Sequence, residues 1–281
     1  IAASTAKEYP DQKIYMLGMI VHNAYVVEAC KKIGIRFIED PGKTRLELLD
    51  EIDEGVVIFT AHGVSDAVRK KAEEKNLIVV DATCPDVIKT HDLVKEHSAI
   101  GHVLYIGKKN HPEAEGTTGL SERIHLISGK EDLQELPDYE NVLITTQTTL
   151  SLLDTQDLLS ACLEKYPDAK VMQEICNATR IRQEAVMKLK DTDLLIVVGD
   201  PRSNNSRQLA ETGKRIGIKD CILIENVNEL TESAVRDKKR IAVTSGSSTP
   251  NELTAQVISF LKAYAENGIW NLPQTINRPA L

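Results

Sequence analysis

Short apolar runs recur along this chain, most of them followed by small polar residues and then by a segment with helical periodicity. The runs are IYMLGMIV (14–21), RFIE (36–39), VVIFT (56–60), LIVVD (77–81), HVLYIG (102–107), IHLI (124–127), NVLITT (141–146), LLIVVG (194–199), CILIE (221–225) and IAVTS (241–245). Helices are predicted between them, near 24–33, 65–75, 85–97, 151–165, 178–190, 205–216 and 250–266. Runs that are apolar throughout, rather than alternating, suit parallel strands covered on both faces. Alternation of strand and helix predicts an α/β fold with right-handed crossovers. In such folds ligands gather at the carboxyl ends of the strands.

Those ends carry His22-Asn23, Ala61-His62-Gly63, Lys108-Lys109-Asn110-His111-Pro112-Glu113, Gln147-Thr148-Thr149, Asp200-Pro201-Arg202-Ser203-Asn204-Asn205 and Gly246-Ser247-Ser248-Thr249-Pro250. Their spacing repeats. His111 lies 27 residues beyond Cys84, and Ser203 lies 27 beyond Cys176; the two cysteines are 92 apart. The unit is a cysteine at a corner followed by two polar loops. A first copy shows its polar loops at His22 and His62, and the spacing puts its cysteine just ahead of Ile1. We therefore expect three related α/β modules, at 1–83, 84–175 and 176–267, with an irregular tail at 268–281. The first module is expected to lack its opening strand and its cysteine, in keeping with a chain that opens on Ile rather than Met.

With 281 residues, 42% of them hydrophobic, the chain has the material for a large core. A net charge of −8 argues against nucleic acid as the main partner. No apolar run reaches the roughly 18 residues of a membrane span, and the first residues lack the pattern of a signal peptide. Five cysteines, an odd number in a large chain, favour reduced thiols with metal-binding or catalytic roles over a disulfide framework.

Cys84 precedes Pro85, which predicts a helix N-cap with proline at the first helical position. Free N–H groups and partial positive charge at a helix N-terminus favour thiolate, the form that ligates iron. Cys176 likewise stands just before a helix. Cys30, Cys162 and Cys221 lie within helix or strand patterns and read as structural residues. Three corner thiolates from three modules would meet on a pseudo-threefold axis. Around a cubane cluster they would leave one iron without a protein ligand, free to act as a Lewis acid.

His22, His62, Ser203, Asn205 and Ser248 are donors beside helix N-termini, an environment for phosphate. Thr249-Pro-Asn-Glu252 reads as a capping box with Thr249 as N-cap. Glu113, two residues after His111, is the acid of choice, since a carboxyl screened from water holds its proton at neutral pH. Glu115 is its neighbour and competitor, and the other histidines have no such placement. GKKNHPEAEGT is not a Walker A loop and no GxGxxG follows a strand, so nucleotide binding has no support.

The stretches MIVHN (19–23), FTAHGVS (59–65), DATCPDVIKTH (81–91), GKKNHPEAEGT (107–117), TTQTTLS (145–151), EICNATRIRQEAV (174–186), VVGDPRSNNS (197–206) and TSGSSTP (244–250) run in order over almost the whole chain. They resemble the 4-hydroxy-3-methylbut-2-enyl diphosphate reductase family of the non-mevalonate isoprenoid pathway. The resemblance implies a trefoil of three α/β modules around a [4Fe-4S] cluster held by three cysteines. It implies two-electron reductive dehydroxylation of the allylic diphosphate to isopentenyl and dimethylallyl diphosphate, fed by a ferredoxin- or flavodoxin-like donor, in a bacterial cytoplasm or a plastid stroma. Carried over by position, Cys84 and Cys176 correspond to cluster ligands. His22, His62, Ser203, Asn204, Asn205 and Ser248 correspond to diphosphate binders. His111, Glu113 and Thr148 correspond to the group around the substrate hydroxyl, with Glu113 as the acid. The family's Arg-Gly-aromatic-Cys turn is absent from this sequence. The chain with two of three thiolates is therefore expected to hold its cluster poorly and to be weakly active. The residues alone leave two competing readings: a cluster-free protein that binds a diphosphate or sugar phosphate, and a thiol hydrolase pairing Cys84 with a histidine.

Overall fold

The computed structural model describes residues 1–19, 21, 23–172 and 174–277, with side-chain detail for all of these but 152–154. Its described strands form three separate parallel sheets. In the first, β1 (Ile14–Leu17) is flanked by β2 (Ile35–Ile38) and β3 (Val56–Phe59), with β4 (Ile78–Asp81) beyond β3. The second repeats the winding with β5 (His102–Ile106) at the centre, β6 (Ile124–Ile127) and β7 (Val142–Thr146) beside it, and β8 (Lys170–Met172) at the edge. The third has β9 (Leu194–Val198) between β10 (Asp220–Ile224) and β11 (Ile241–Ser245). This bears out the α/β class with parallel sheets. The described chain divides into two compact units. Residues 1–20 and 30–176 form one, which holds the first two sheets; residues 21–29 and 177–281 form the other, with the third sheet.

The central strands read as uniformly apolar because both their faces are covered. Along β9, Leu194, Ile196 and Val198 enter one hydrophobic cluster and Leu195 and Val197 another. In β5, Leu104 and Ile106 face one side, Val103 and Tyr105 the other. LIVVD looks the same in sequence but behaves differently. It forms the edge strand β4, and Ile78 and Val79 are 39% and 36% exposed. An apolar run does not say whether its strand will be central. The short edge strand β8 carries too little apolar signal to have been predicted.

Helices follow their strands: α1 (Ala2–Glu8), α2 (Ala24–Lys32), α3 (Arg45–Leu48) and α4 (Asp66–Glu74) around the first sheet's sequence, and α5 (Pro85–Ser98), α6 (Pro112–Thr118), α7 (Lys130–Gln134) and α8 (Leu152–Lys165) around the second's. The third has α9 (Asn177–Met187), α10 (Asn204–Arg215), α11 (Glu232–Val235) and α12 (Asn251–Asn267). α5 buries Val87, Thr90, His91, Val94 and Ser98, one stripe at helical spacing. α12 buries Leu253, Val257 and Phe260 and ends at Gly268, whose φ of 69° suits a residue without Cβ. Beyond it Trp270 packs edge-on against Phe260 and Tyr264. Thr249 does not cap α12; its hydroxyl donates to Val198 O at 3.0 Å, and Pro250 takes the cap position. The last carbonyl of β9 outcompetes the helix for that hydroxyl.

Candidate active site

Polar loops at the carboxyl ends of β3, β5 and β7 come together within the first unit. His111 caps α6, its Nδ1 accepting from Glu113 N at 3.1 Å, which leaves the ring proton of a neutral imidazole on Nε2. The His62 ring meets it edge-on, centroids 5.4 Å apart. Glu113, on the first turn of α6, is 1% exposed. Its Oε1 accepts from Thr148 N at 2.7 Å and from Tyr105 Oη at 3.3 Å, and its Oε2 accepts from Thr148 Oγ1 at 2.9 Å. Burial pushes its pKa up to about 7, against the pull of the Thr148 and Tyr105 hydrogen bonds. A carboxyl so placed keeps its proton well above the ordinary carboxylate range, as a proton donor must.

Tyr105 gives no functional signal in the sequence. In HVLYI it looks like core, and it is core, except that a buried phenol needs a partner. Burial and the neighbouring Glu113 raise its pKa well above the ordinary value, so it stays a hydrogen-bond donor. Gln147, one of the strand-end residues, has a structural part that its sequence position does not show. Fully buried, it accepts from Lys108 N at 3.0 Å and donates to Thr149 Oγ1 at 3.0 Å, joining the β5 and β7 loops.

The two corner cysteines are tied to these same loops. Cys84 caps α5 with Pro85 at the first turn, and its N–H donates to Ala61 O, beside His62, at 3.0 Å. Cys176 directly precedes α9, and its N–H donates to Thr148 O at 3.0 Å. Both residues are half-buried, whereas Cys30 and Cys162 are fully buried. Burial raises the Cys30 pKa and takes that of Cys162 to about 11. Among the described residues no group of three or more His, Cys, Asp or Glu side chains converges as a ready-made metal cage. Thiols at helix entries, held against the site's own loops, do fit a cluster as ligand donors.

The second unit assembles a polar corner at the ends of β9 and β11, where the buried Asp200 carboxylate is paired with Arg202 at 2.7 Å. Ser203 caps α10, its Oγ accepting from Ser206 N at 3.4 Å. Asn204 and Asn205 open the helix and are buried. Asn205 Nδ2 donates to Thr179 Oγ1 at 2.8 Å, while its Oδ1 accepts from Ser247 N at 3.0 Å, next to Ser248. Ser206 sits deeper. A Cβ on Gly199 or Gly246 would overlap its Oγ, so the glycines closing the two strands let α10 approach the sheet. His22, expected to join the phosphate-binding residues, lies outside the described residues. Of the histidines set aside, buried His91 has its pKa driven down to about 4 by desolvation, and His102 hydrogen-bonds His125 at 3.0 Å.

Fold and site thus define an α/β protein with a desolvated acid at the strand ends of one unit and an amide-hydroxyl corner in the other. The sequence profile of the LytB protein family matches residues 1–262. Among curated relatives, the 4-hydroxy-3-methylbut-2-enyl diphosphate reductase of Brevibacillus brevis is 49% identical over 99% of this chain and 91% of its own length. That of Bacillus velezensis is 47% identical over 98% and 88%. The solved E-1-hydroxy-2-methyl-but-2-enyl-4-diphosphate reductase of Plasmodium falciparum superposes with a TM-score of 0.85 at 30% identity, covering 98% of this chain and 89% of that one. A second solved structure, of the terminal enzyme of the non-mevalonate pathway, gives 0.65 at 32% identity, covering 93% of each chain. The chain belongs to the LytB family. No helix among the described residues is long and apolar enough to cross a membrane.

Proposed function

We propose that this chain is an iron–sulfur oxidoreductase that converts 4-hydroxy-3-methylbut-2-enyl diphosphate to isopentenyl and dimethylallyl diphosphate, the last step of the non-mevalonate isoprenoid pathway. The C–O bond to the hydroxyl breaks, two electrons and two protons are taken up, and water leaves. Cys84 and Cys176 are the cluster ligands this chain offers. When bound, a [4Fe-4S] cluster supplies electron transfer and Lewis acidity. A ferredoxin- or flavodoxin-like donor and a cytoplasmic setting belong to the same proposal, as do the module bounds 1–83, 84–175 and 176–267.

The chain's own residues divide the remaining work. His22, His62, Ser203, Asn204, Asn205 and Ser248 bind the diphosphate with neutral N–H and O–H donors and helix N-termini. Glu113 holds a proton on its carboxyl and passes it to the departing hydroxyl oxygen. Thr148 orients that carboxyl with two hydrogen bonds. His111, fixed by its N-cap bond, presents Nε2–H beside His62.

The buried Glu113, held by Thr148 in a chain so close to known reductases, carries this reading. The relatives give no support to a cluster-free phosphate binder or a thiol hydrolase. The test is anaerobic purification followed by assay with a reduced donor. Bound iron and sulfide at less than one cluster per chain, with slow formation of both products, are expected, iron falling further in Cys84→Ser and Cys176→Ser but not in Cys30→Ser. A metal-free protein, or one that leaves the allylic alcohol intact, overturns it.

A further inference from the structure

Helix α6 carries both His111 at its cap and Glu113 in its first turn, yet it is only seven residues long. Such a helix owes its position to what packs against it. One contact is a backbone approach: a Cβ on Gly116 would stand 3.0 Å from Gly63 O, so α6 lies directly on the loop that follows His62. Another is Arg45, from the segment between β2 and β3.

Arg45 is the first residue of α3, and its backbone is well fixed. Thr44 Oγ1 accepts from Glu47 N at 3.3 Å and Glu47 Oε2 accepts from Thr44 N at 2.7 Å, a capping box. From there the side chain runs inward and is only 5% exposed. Its Nη1 donates to Pro112 O at 3.1 Å, the carbonyl immediately before Glu113, and reaches Glu115 Oε2 at 3.5 Å. Its own backbone N–H donates to Glu115 Oε1 at 2.8 Å. Nε is buried and has no hydrogen-bond partner among the described residues. A buried guanidinium with a long ion pair and an unmet donor is a poor device for stability, because desolvation offsets what the pair returns. Its geometric effect is plain: it grips the first turn of α6 at a carbonyl and at a carboxylate, one on each side of Glu113.

We propose that Arg45 is a positioning residue, a clamp on the N-terminus of α6 that sets His111 against His62 and Glu113 against Thr148. This rests on the roles given above to His111 and Glu113.

Hydrogen exchange on cluster-free protein reads the clamp without any turnover. In Arg45→Met, exchange at the Glu113 and Glu115 amides, which His111 protects here, should quicken about tenfold or more. Amides of β9 and α10 should not change. In loaded enzyme kcat should fall about tenfold to a hundredfold, since small misplacements of reacting groups have large effects, with KM within about twofold. Arg45→Lys, which keeps one donor for Pro112 O, should recover part of the rate. Glu115→Gln supplies a second variant if Arg45→Met folds poorly. Because both residues serve one clamp, the double variant should be little worse than Arg45→Met alone. Unchanged α6 exchange, exchange rising equally throughout the chain, or a raised KM at constant kcat overturns the clamp. A wild-type protein without turnover sinks the functional reading instead, and the exchange result still decides on Arg45.

Discussion

The strand ends of the second sheet and those of the third are built on the same plan and carry different side-chain chemistry. In both, a central strand and its neighbour end beneath the first turn of a capped helix: α6 capped by His111, α10 capped by Ser203. Around α6 the hydrogen bonds converge on one buried carboxyl, and desolvation makes it hold its proton. Around α10 they join amides and hydroxyls, the buried carboxylate there, Asp200, being paired with Arg202, and Asn205 bridges α9 to the β11 loop. In the proposed function, one corner manages a proton and the other offers fixed dipoles. The backbone plan supplies a place to act, and the side chain at the second or third helical position decides the action.

Four changes would break or sharpen that contrast. Glu113→Gln keeps the shape of the acid but has no proton to give, so turnover should fall about a thousandfold while KM moves little. Product formation under anaerobic assay measures it, and an active variant would erase the distinction between the corners. The next largest effect is on pH. The folded Glu113 pKa of about 7 lies above the ordinary 4.5, so the folded state binds the extra proton. The stability it lends is complete below about pH 4.5 and is lost as pH climbs through 7, at up to about 1.4 kcal/mol per pH unit. Urea unfolding from pH 5 to 8 should show wild type declining relative to Glu113→Gln, and turnover should decline above pH 7 for the same reason.

Asn205→Ala should act only on the other corner. It removes the hydrogen bonds that Asn205 makes with Thr179 Oγ1 and Ser247 N, a loss of about 1–3 kcal/mol. We expect this as a raised KM and a lower unfolding midpoint, with the pH profile of turnover unmoved. A shifted profile would mean that the two corners are not separable. Tyr105→Phe is the smallest change. It removes one 3.3 Å bond, worth about 0.5–1.5 kcal/mol. Because that bond favours the carboxylate, the fall of turnover with pH should move slightly upward, which a titration of kcat resolves.

Much of the strand-end layout is legible in the sequence because it depends on local chemistry. Pro after Cys84 marks a helix entry wherever the helix goes. A small polar loop after an apolar run marks a strand end. Other features were misread where local chemistry met competition. Thr249 had the sequence of a capping box, yet its hydroxyl went to Val198 O. LIVVD had the composition of a central strand and became an edge. Tyr105 and Arg45 gave no functional signal, since a tyrosine in a strand and an arginine on a short helix are commonplace until their partners are known.

What the sequence determined by itself was the class of structure and the roster of chemistry: parallel α/β sheets from uninterrupted apolar runs, and donors, thiols and an acid at the ends of those runs. Periodicity and capping act over a few residues, so they survive in one dimension. Only the tertiary structure decided that Glu113 loses its water, that Thr148, 35 residues away, holds it, and that Arg45, 67 residues from Pro112, steadies its helix. Desolvation and long-range hydrogen bonds depend on which segments pack together. That is a property of the folded chain and of no stretch within it.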